Sequence, residues 1–569
     1  MDKKDIIKAF KKTASLLELH GENEFKIRTY NNAVFNLERS NDQIDAMDAP
    51  QLQQIDGIGK GIAQAILDLQ RTETFDVLEE LLDKTPEGVV EMMGIKGAGP
   101  KKIRLMWKDL SIDSLEKVKT ACEEGKLASI KGFGNKSQEN ILKEVNFKIS
   151  NRSKMLFEEA EFLSQEIVEL INKNVSDTTC EVAGQTKRKT EIVDELEFIL
   201  LCENLPKVYQ EVSKIEELNH DLTRSNPFCW RGTYNKGGKN LSLHLSSKSD
   251  YYNKKLLHTS APAHLTHASN GNKNLLQILT SEKIESEEAA YEQLGMQPVP
   301  PELREGGFEI ELAKEKKLPK LIELDDIKGS IHNHSTYSDG KNSIKEMAEK
   351  CIEMGYEYLG LSDHSVSAFY ANGLQEFRIK AQHEEIDQLN KDLTPFKIFK
   401  GIESDILPDG SLDYANEVLS SFDFIVASIH SVLNMDINKA TQRLITAIEN
   451  PYTTILGHAT GRLLLRREGY PIDHKKVIEA CAANDVIIEI NANPWRLDLD
   501  WRWIQYAIKN NVMLSINPDA HEIDGHADIY YGIQVARKGG LTKEKNFNCW
   551  SADEVQNYFS NRKVNKNIA

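Results

Sequence analysis

Between residues 331 and 521 the chain repeats one device, a short apolar run that ends in histidine, aspartate or glutamate. Ile331 leads into His332-Asn333-His334 and on to Asp339, and Tyr358-Leu359-Gly360-Leu361 into Ser362-Asp363-His364. Gly401-Ile402-Glu403-Ser404-Asp405, Phe424-Ile425-Val426-Ala427-Ser428-Ile429-His430 and Leu456-Gly457-His458 follow the same plan. Val486-Ile487-Ile488-Glu489-Ile490-Asn491 and Val512-Met513-Leu514-Ser515-Ile516, with Asp519 and His521 just beyond, complete it. Apolar runs of this length between helical patterns read as strands alternating with helices, which predicts a β/α barrel. Such barrels carry their chemistry at the C-terminal ends of the strands, where His364, His430, Asn491 and Asp519 fall. His332 and His334 stand at i and i+2, which on an extended strand aims both imidazoles to one side. The donor types point to one polynuclear metal site. Mixed imidazole and carboxylate donors suit Zn²⁺ or Mn²⁺ first, with Fe²⁺ and Mg²⁺ further down the order. Six of the nine histidines after residue 325 fall in these motifs, and His383, His474 and His526 keep ordinary core or surface readings.

At 569 residues the chain needs three or four cores. No apolar run approaches the roughly 18–20 residues of a membrane span, and Met1-Asp2-Lys3-Lys4-Asp5 lacks a secretory signal. The seven cysteines are scattered without a Cys-x-x-Cys, as in reduced thiols. These features predict a cytoplasmic protein with no membrane partner, read as a monomer. A net charge of −17 excludes a uniformly basic nucleic-acid binder but leaves room for a local basic surface.

Such surfaces are expected in the N-terminal third, where apolar-x-Gly-x-Gly occurs three times. The copies are Ile55-Asp56-Gly57-Ile58-Gly59-Lys60, Ile95-Lys96-Gly97-Ala98-Gly99-Pro100-Lys101-Lys102 and Ile130-Lys131-Gly132-Phe133-Gly134-Asn135-Lys136. Glycines permit positive φ, and amides at the following helix N-terminus suit a phosphate oxygen. The segments resemble the helix-hairpin-helix motif, which implies sequence-independent grip on the DNA backbone through Gly57, Gly59, Gly97, Gly99, Lys101, Lys102, Gly132, Gly134 and Lys136. Asp56 opposes phosphate, so the first copy is expected to be mainly structural.

The middle of the chain resembles the family X DNA polymerases. Gly184-Gln185 stands where that family has Gly-Ser, and Glu195 and Glu197 occupy its two metal-holding aspartates. Ser242, in Lys239-Asn240-Leu241-Ser242-Leu243-His244-Leu245, takes the place of the third. Thr259-Ser260-Ala261-Pro262-Ala263-His264-Leu265 is a degraded Thr-Gly-Ser-x-x-His-Asn. Mg²⁺ demands near-ideal octahedral geometry, so two lengthened carboxylates and one lost predict a degenerate polymerase site.

The C-terminal motifs resemble the PHP (polymerase and histidinol phosphatase) family. The resemblance implies a distorted (β/α)7 barrel with two or three divalent metals held by His332, His334, Asp339, His364, Glu403, His430, His458, Asp519 and His521. Within that set it implies catalytic roles for Glu403, Asp519 and His364. It groups His332, His334, Glu403 and Asp519 around one metal, with Glu403 bridging to the others. Arg462 and Arg466 are candidates for holding a DNA phosphate, and a structural surface role fits either equally. Nearly the whole chain resembles the bacterial PolX proteins. This implies a multidomain fold: a helix-hairpin-helix region (1–85), a fingers-like region (86–150), an α+β palm (151–248), a thumb-like domain with linker (249–324) and the barrel (325–569). The function implied is a DNA-binding 3′-5′ exonuclease or repair nuclease. Two alternatives stay open: a gap-filling polymerase whose barrel proofreads, and a small-molecule phosphatase of the histidinol-phosphatase type.

Overall fold

A computed structural model describes residues 3–39, 44, 47–130 and 132–568; Lys131 of the third hairpin and the Met1-Asp2 start lie outside them. The chain forms two compact units, Met1–Arg152 and Ser153–Ala569. The first unit is all helix around one core that includes Phe10, Leu37, Ile66, Met92 and Ile141. In each Gly-x-Gly turn the middle residue is the anchor. Ile58, Ala98 and Phe133 are buried to within 4% exposure, while the flanking glycines face outward. Each turn delivers a helix: Lys60–Thr72, Pro100–Arg104 and Asn135–Asn151.

The second unit opens with a five-stranded sheet. Its order is Thr178–Val182, Leu196–Cys202, Lys239–Ser246, Cys229–Tyr234, Leu218–His220. Only the central pair, Leu196–Cys202 with Lys239–Ser246, runs parallel. Phe198, Leu200, Trp230 and Leu243 form its core, under the helix Phe157–Asn174. Short helices between Tyr251 and Lys314 then pack around Leu256, Ile278, Tyr291 and Ile310.

From Gly329 onward seven strands pair in chain order, all parallel: Gly329–Asn333, Tyr358–Leu361, Lys397–Asp405, Phe424–Ser428, Ile455–Leu456, Ile487–Asn491 and Leu514–Asn517. A bridge from Asn333 to Ala520 brings the last edge back to the first, so the barrel is nearly closed. Caps fix where the intervening helices start, Ser343 with Glu346, Asp436 and Asp473, and Ser551 with Glu554 does the same for the helix after the last strand. At the N-terminal end of the strands, Phe399 and Phe424 pack on Phe559 of the final helix, Ala552–Asn565. Each such buried ring contributes on the order of 2–3 kcal/mol of apolar burial. That plug leaves the opposite, C-terminal end free to carry polar groups. Ion pairs tie the barrel to the preceding parts of its unit: Lys538, with no exposed side-chain surface, meets Glu305 at 2.5 Å, and Arg502 meets Glu191 at 2.8 Å. Among the described residues no helix is long and apolar enough to cross a membrane.

Candidate metal centre

All nine expected donors meet at the C-terminal end of the barrel. Glu403, 1% exposed, stands at their centre. Its Oε1 lies 3.2 Å from His332 Nε2, 3.2 Å from His430 Nε2 and 3.1 Å from His458 Nε2, and its Oε2 lies 2.8 Å from His364 Nδ1. Asp519 Oδ1 faces His334 Nε2 at 3.1 Å and His332 Nε2 at 3.6 Å. Nearer the opening, Asp339 Oδ1 lies 3.4 Å from His521 Nε2 and 3.7 Å from His364 Nε2.

Among the described residues of the barrel, three groupings have donor atoms close enough to share a cation: His332, His334 and Asp519; His334, Asp339, His364 and His521; and His364, Glu403 and His430. Glu403 lies beside His332 and His334, at 3.2 and 3.8 Å, as in the grouping that the resemblance implied, and also joins His364 and His430. His334 and His364 each serve two groups, and Glu403 lies within 3.8 Å of five imidazoles.

The pair His332 and His334 converges for another reason than regular pleating. The strand carries a register shift between Ser330 and Asn333, and His332 takes φ +65°. Asp519 is left-handed too, at φ +54°. Non-glycine residues held there cost about 1–3 kcal/mol, strain that concentrates at functional sites.

The residues present fit divalent cations. His332 Nε2, His364 Nδ1 and Glu403 Oε2 are buried without a hydrogen-bond partner, although each lies within 3.2 Å of another donor of the set. Close approach without hydrogen-bond geometry is what lone pairs aimed at a common ion produce. Protonation carries the same sign. Burial opposes charge on His332, yet Glu489, Asp519 and Glu403 hold it well above its ordinary range. His430, equally opposed by burial, is raised to about 10 by Glu403 and Asp405. His334 is lowered to about 3 by burial and by His521 and His364. Glu403 and Asp519 stay ionised far below the usual carboxylate range, because facing imidazoles outweigh their burial. Protons would compete with cations for His332 and His430, so metal affinity falls as the pH is lowered.

A supporting layer holds the donors. Glu489 Oε2 accepts from His332 Nδ1 at 2.5 Å, while Asn491 and Asn517 donate to its two oxygens. Asp405 holds His430 Nδ1 at 2.6 Å. Asp363 accepts from the backbone and hydroxyls of Ser335 and Ser338 and from Gln382, as a loop-orienting group rather than a donor to the centre. Glu489 and Asp405 were not among the expected site residues. The signal for Glu489 was present, since a carboxylate inside Ile487-Ile488-Glu489-Ile490 has no other place to go in a closed barrel. Arg496, also unexpected, sets Nε 3.7 Å from Asp519 Oδ2. Arg462 spends its guanidinium on Asp500 and the carbonyls of Arg496 and Leu497, and Arg466 stacks on Trp495 at 3.4 Å. For Arg462 that is the structural of the two readings.

In the five-stranded sheet Glu195 binds Arg224 at 3.1 Å and Ser242 Oγ at 2.8 Å. Glu197 turns to His244 at 3.2 Å and fills the space above Gly184, where a Cβ would lie 2.3 Å from Glu197 Oε1. The hairpin glycines Gly59, Gly97, Gly99, Gly132 and Gly134 have open space where a side chain would begin, and Gly97, Gly132 and Gly134 hold positive φ. In the first copy it is Gly57 that is left-handed, against Asn36. Lys101 is largely exposed, Lys136 exposed, and Lys102 reaches back to Gly97 O and Ser137 Oγ.

Residues 1–75 match the family described as helix-hairpin-helix domain, 89–146 the SAM-like helix-hairpin-helix tandem, and 330–493 the PHP domain. Fold and centre thus define a helix-hairpin-helix protein with a metal-dependent PHP barrel. The chain belongs to the PolX family: it is 34% identical to the "DNA polymerase/3'-5' exonuclease PolX" of Bacillus subtilis over 98% of its own length and 99% of that protein's. The barrel alone is also similar to smaller proteins. A "probable phosphatase" of a Thermoanaerobacter species is 27% identical over 41% of this chain and 94% of its own, and one of Acetivibrio thermocellus 27% over 28% and 63%.

Proposed function

We propose that this protein is a DNA-binding, metal-dependent phosphodiesterase that removes nucleotides from 3′ ends through its barrel, with no template-directed synthesis by its polymerase-like part. The observation that carries the reading is the convergence of eight ligand-type side chains around Glu403, set against the state of Glu195 and Glu197, both engaged by neighbours. Two or three cations, Mn²⁺ or Zn²⁺ by donor type, would supply Lewis acidity toward a phosphodiester and its attacking water. His332, His334 and Asp519 would hold one. Asp339, His364 and His521, at the more open side, would hold another beside the entering strand. Glu403 keeps its charge at any neutral pH and fixes the spacing between them. Arg496 partly balances Asp519 and keeps its side chain in place. The hairpins would hold the DNA backbone through exposed amides and Lys101, Lys102 and Lys136. The five-part division at 85/86, 150/151, 248/249 and 324/325 serves as the functional partition.

The test is release of nucleotides from a labelled 3′ end in Mn²⁺, beside primer extension on gapped DNA with dNTPs. Release should fall at least 100-fold in His332→Ala and in Asp519→Ala, with no extension by any form. Unchanged degradation by those variants would overturn the site. Extension abolished by Glu195→Ala would restore the polymerase reading, which the name of the similar Bacillus subtilis protein keeps in view.

A further inference from the structure

Glu197, His244 and His258 form a second cluster of ligand types, outside the barrel. Glu197 lies on the strand Leu196–Cys202, His244 on its parallel neighbour Lys239–Ser246, and His258 ends the helix Tyr251–His258. One donor atom from each falls within 4.8 Å of the others. Glu197 Oε2 is 3.2 Å from His244 Nε2 and 3.9 Å from His258 Nδ1, so one carboxylate oxygen faces two imidazole nitrogens. The two rings stack at 3.6 Å, tilted by 19°. Cys229 sits directly opposite His244 on the adjoining strand, which puts its thiol on the same face.

A simple ion pair accounts for only half of this. His244 Nε2 meets Glu197 Oε2 at hydrogen-bond distance, 3.2 Å. His258 Nδ1 stands 3.9 Å from that oxygen, too far for a hydrogen bond. It is nevertheless held with a ring nitrogen toward the same oxygen. Gly184, at φ +61°, is what admits Glu197 to this position. Glu195, tied to Arg224 and Ser242, does not take part.

We propose that Glu197, His244 and His258 bind one d-block divalent cation of the Zn²⁺ class, in the place where two carboxylates would otherwise serve Mg²⁺. Two nitrogens and one oxygen suit Zn²⁺, whereas Mg²⁺ prefers an all-oxygen shell. Such an ion would pin the end of the Tyr251–His258 helix to the sheet.

The experiment counts zinc per full-length chain by mass spectrometry of the metal, after equilibration with Zn²⁺ and removal of loosely held ion. The His258→Ala form should carry one equivalent less than wild type. An Asp519→Ala form, impaired in the barrel, should retain that equivalent and lose it only when His258→Ala is added. Co²⁺ loaded into the Asp519→Ala form should give visible bands whose intensity drops with His258→Ala. His258 is a quarter exposed, so its replacement leaves the core filled, and His244→Gln provides an independent second variant. Equal zinc content in wild type, His258→Ala and His244→Gln would overturn the proposal.

Discussion

At the scale of single residues, the donors of the barrel were readable because each follows an apolar run, but which donor each supporting group holds was not. Glu489 is separated from His332 by more than 150 positions, and no local pattern pairs them. It is fully buried, and its charge fixes the His332 ring by the far nitrogen. Groups in this position typically change metal affinity by about 10–100-fold when removed. Glu489→Gln should therefore raise the Mn²⁺ concentration for half-maximal hydrolysis about 10–100-fold, with activity at saturating metal changed far less. A metal titration that overlays wild type would deny Glu489 this role. His526 illustrates the opposite case, a histidine given an ordinary reading whose burial still has consequences. It is fully buried against Ser330 and Cys351, and burial with Lys350 nearby lowers it to about 4. A histidine whose folded pKa lies below its unfolded value of about 6.5 gives full stability above that value, and loses it as pH falls toward 4. The loss amounts to up to about 3 kcal/mol. Urea midpoints measured at pH 7 and pH 5 should diverge less in His526→Gln than in wild type; equal divergence would mean the ring carries no such coupling.

Elements were legible where periodicity was strong. The barrel strands lie where apolar runs placed them, and the hairpins where Gly-x-Gly recurs, because both are specified by local sequence. The bulge at the first barrel strand was not legible: His-x-His satisfies a regular strand equally well, and only pairing with Tyr358–Leu361 on one side and Ala520 on the other forces His332 left-handed. The hairpins differ among themselves in a way the sequence did show. Asp56 is exposed at the first, while Lys101 and Lys136 are exposed beside the second and third. If the latter two meet phosphates, each contributes close to one unit to the slope of log affinity against log salt. Lys101→Ala and Lys136→Ala should each reduce that slope by about 1 in fluorescence anisotropy titrations with duplex DNA. Lys60→Ala should change it less, and a slope unaltered by both of the first two would remove these hairpins from the DNA surface.

For the whole molecule, five segments of sequence became two compact units, and the reason lies in contacts no window of sequence contains. Glu191 meets Arg502 and Trp501, Arg188 meets Glu305, and Lys538 meets both Glu305 and the Arg188 carbonyl. Partners some 120 to 350 positions apart merge the sheet, the short helices and the barrel, whereas residues 1–152 keep a core of their own. Metal should therefore act on one unit only. The barrel holds Asp339, Glu403, Glu489 and Asp519 close together, with His332 Nε2, His364 Nδ1 and Glu403 Oε2 buried and without hydrogen bonds, an arrangement that ligation would relieve. An ion present at 100 times its dissociation constant stabilises the state that binds it by about 2.7 kcal/mol. Stripping the full-length chain with chelator should lower the unfolding midpoint of the 153–569 unit by a few degrees, restored by Mn²⁺ or Zn²⁺. Hydrogen exchange should quicken in the strands around His332, Glu403 and Asp519 while the helices of residues 3–39 and 60–72 exchange as before. Exchange that quickens equally in both units would show that the metal centre is not what stabilises the barrel.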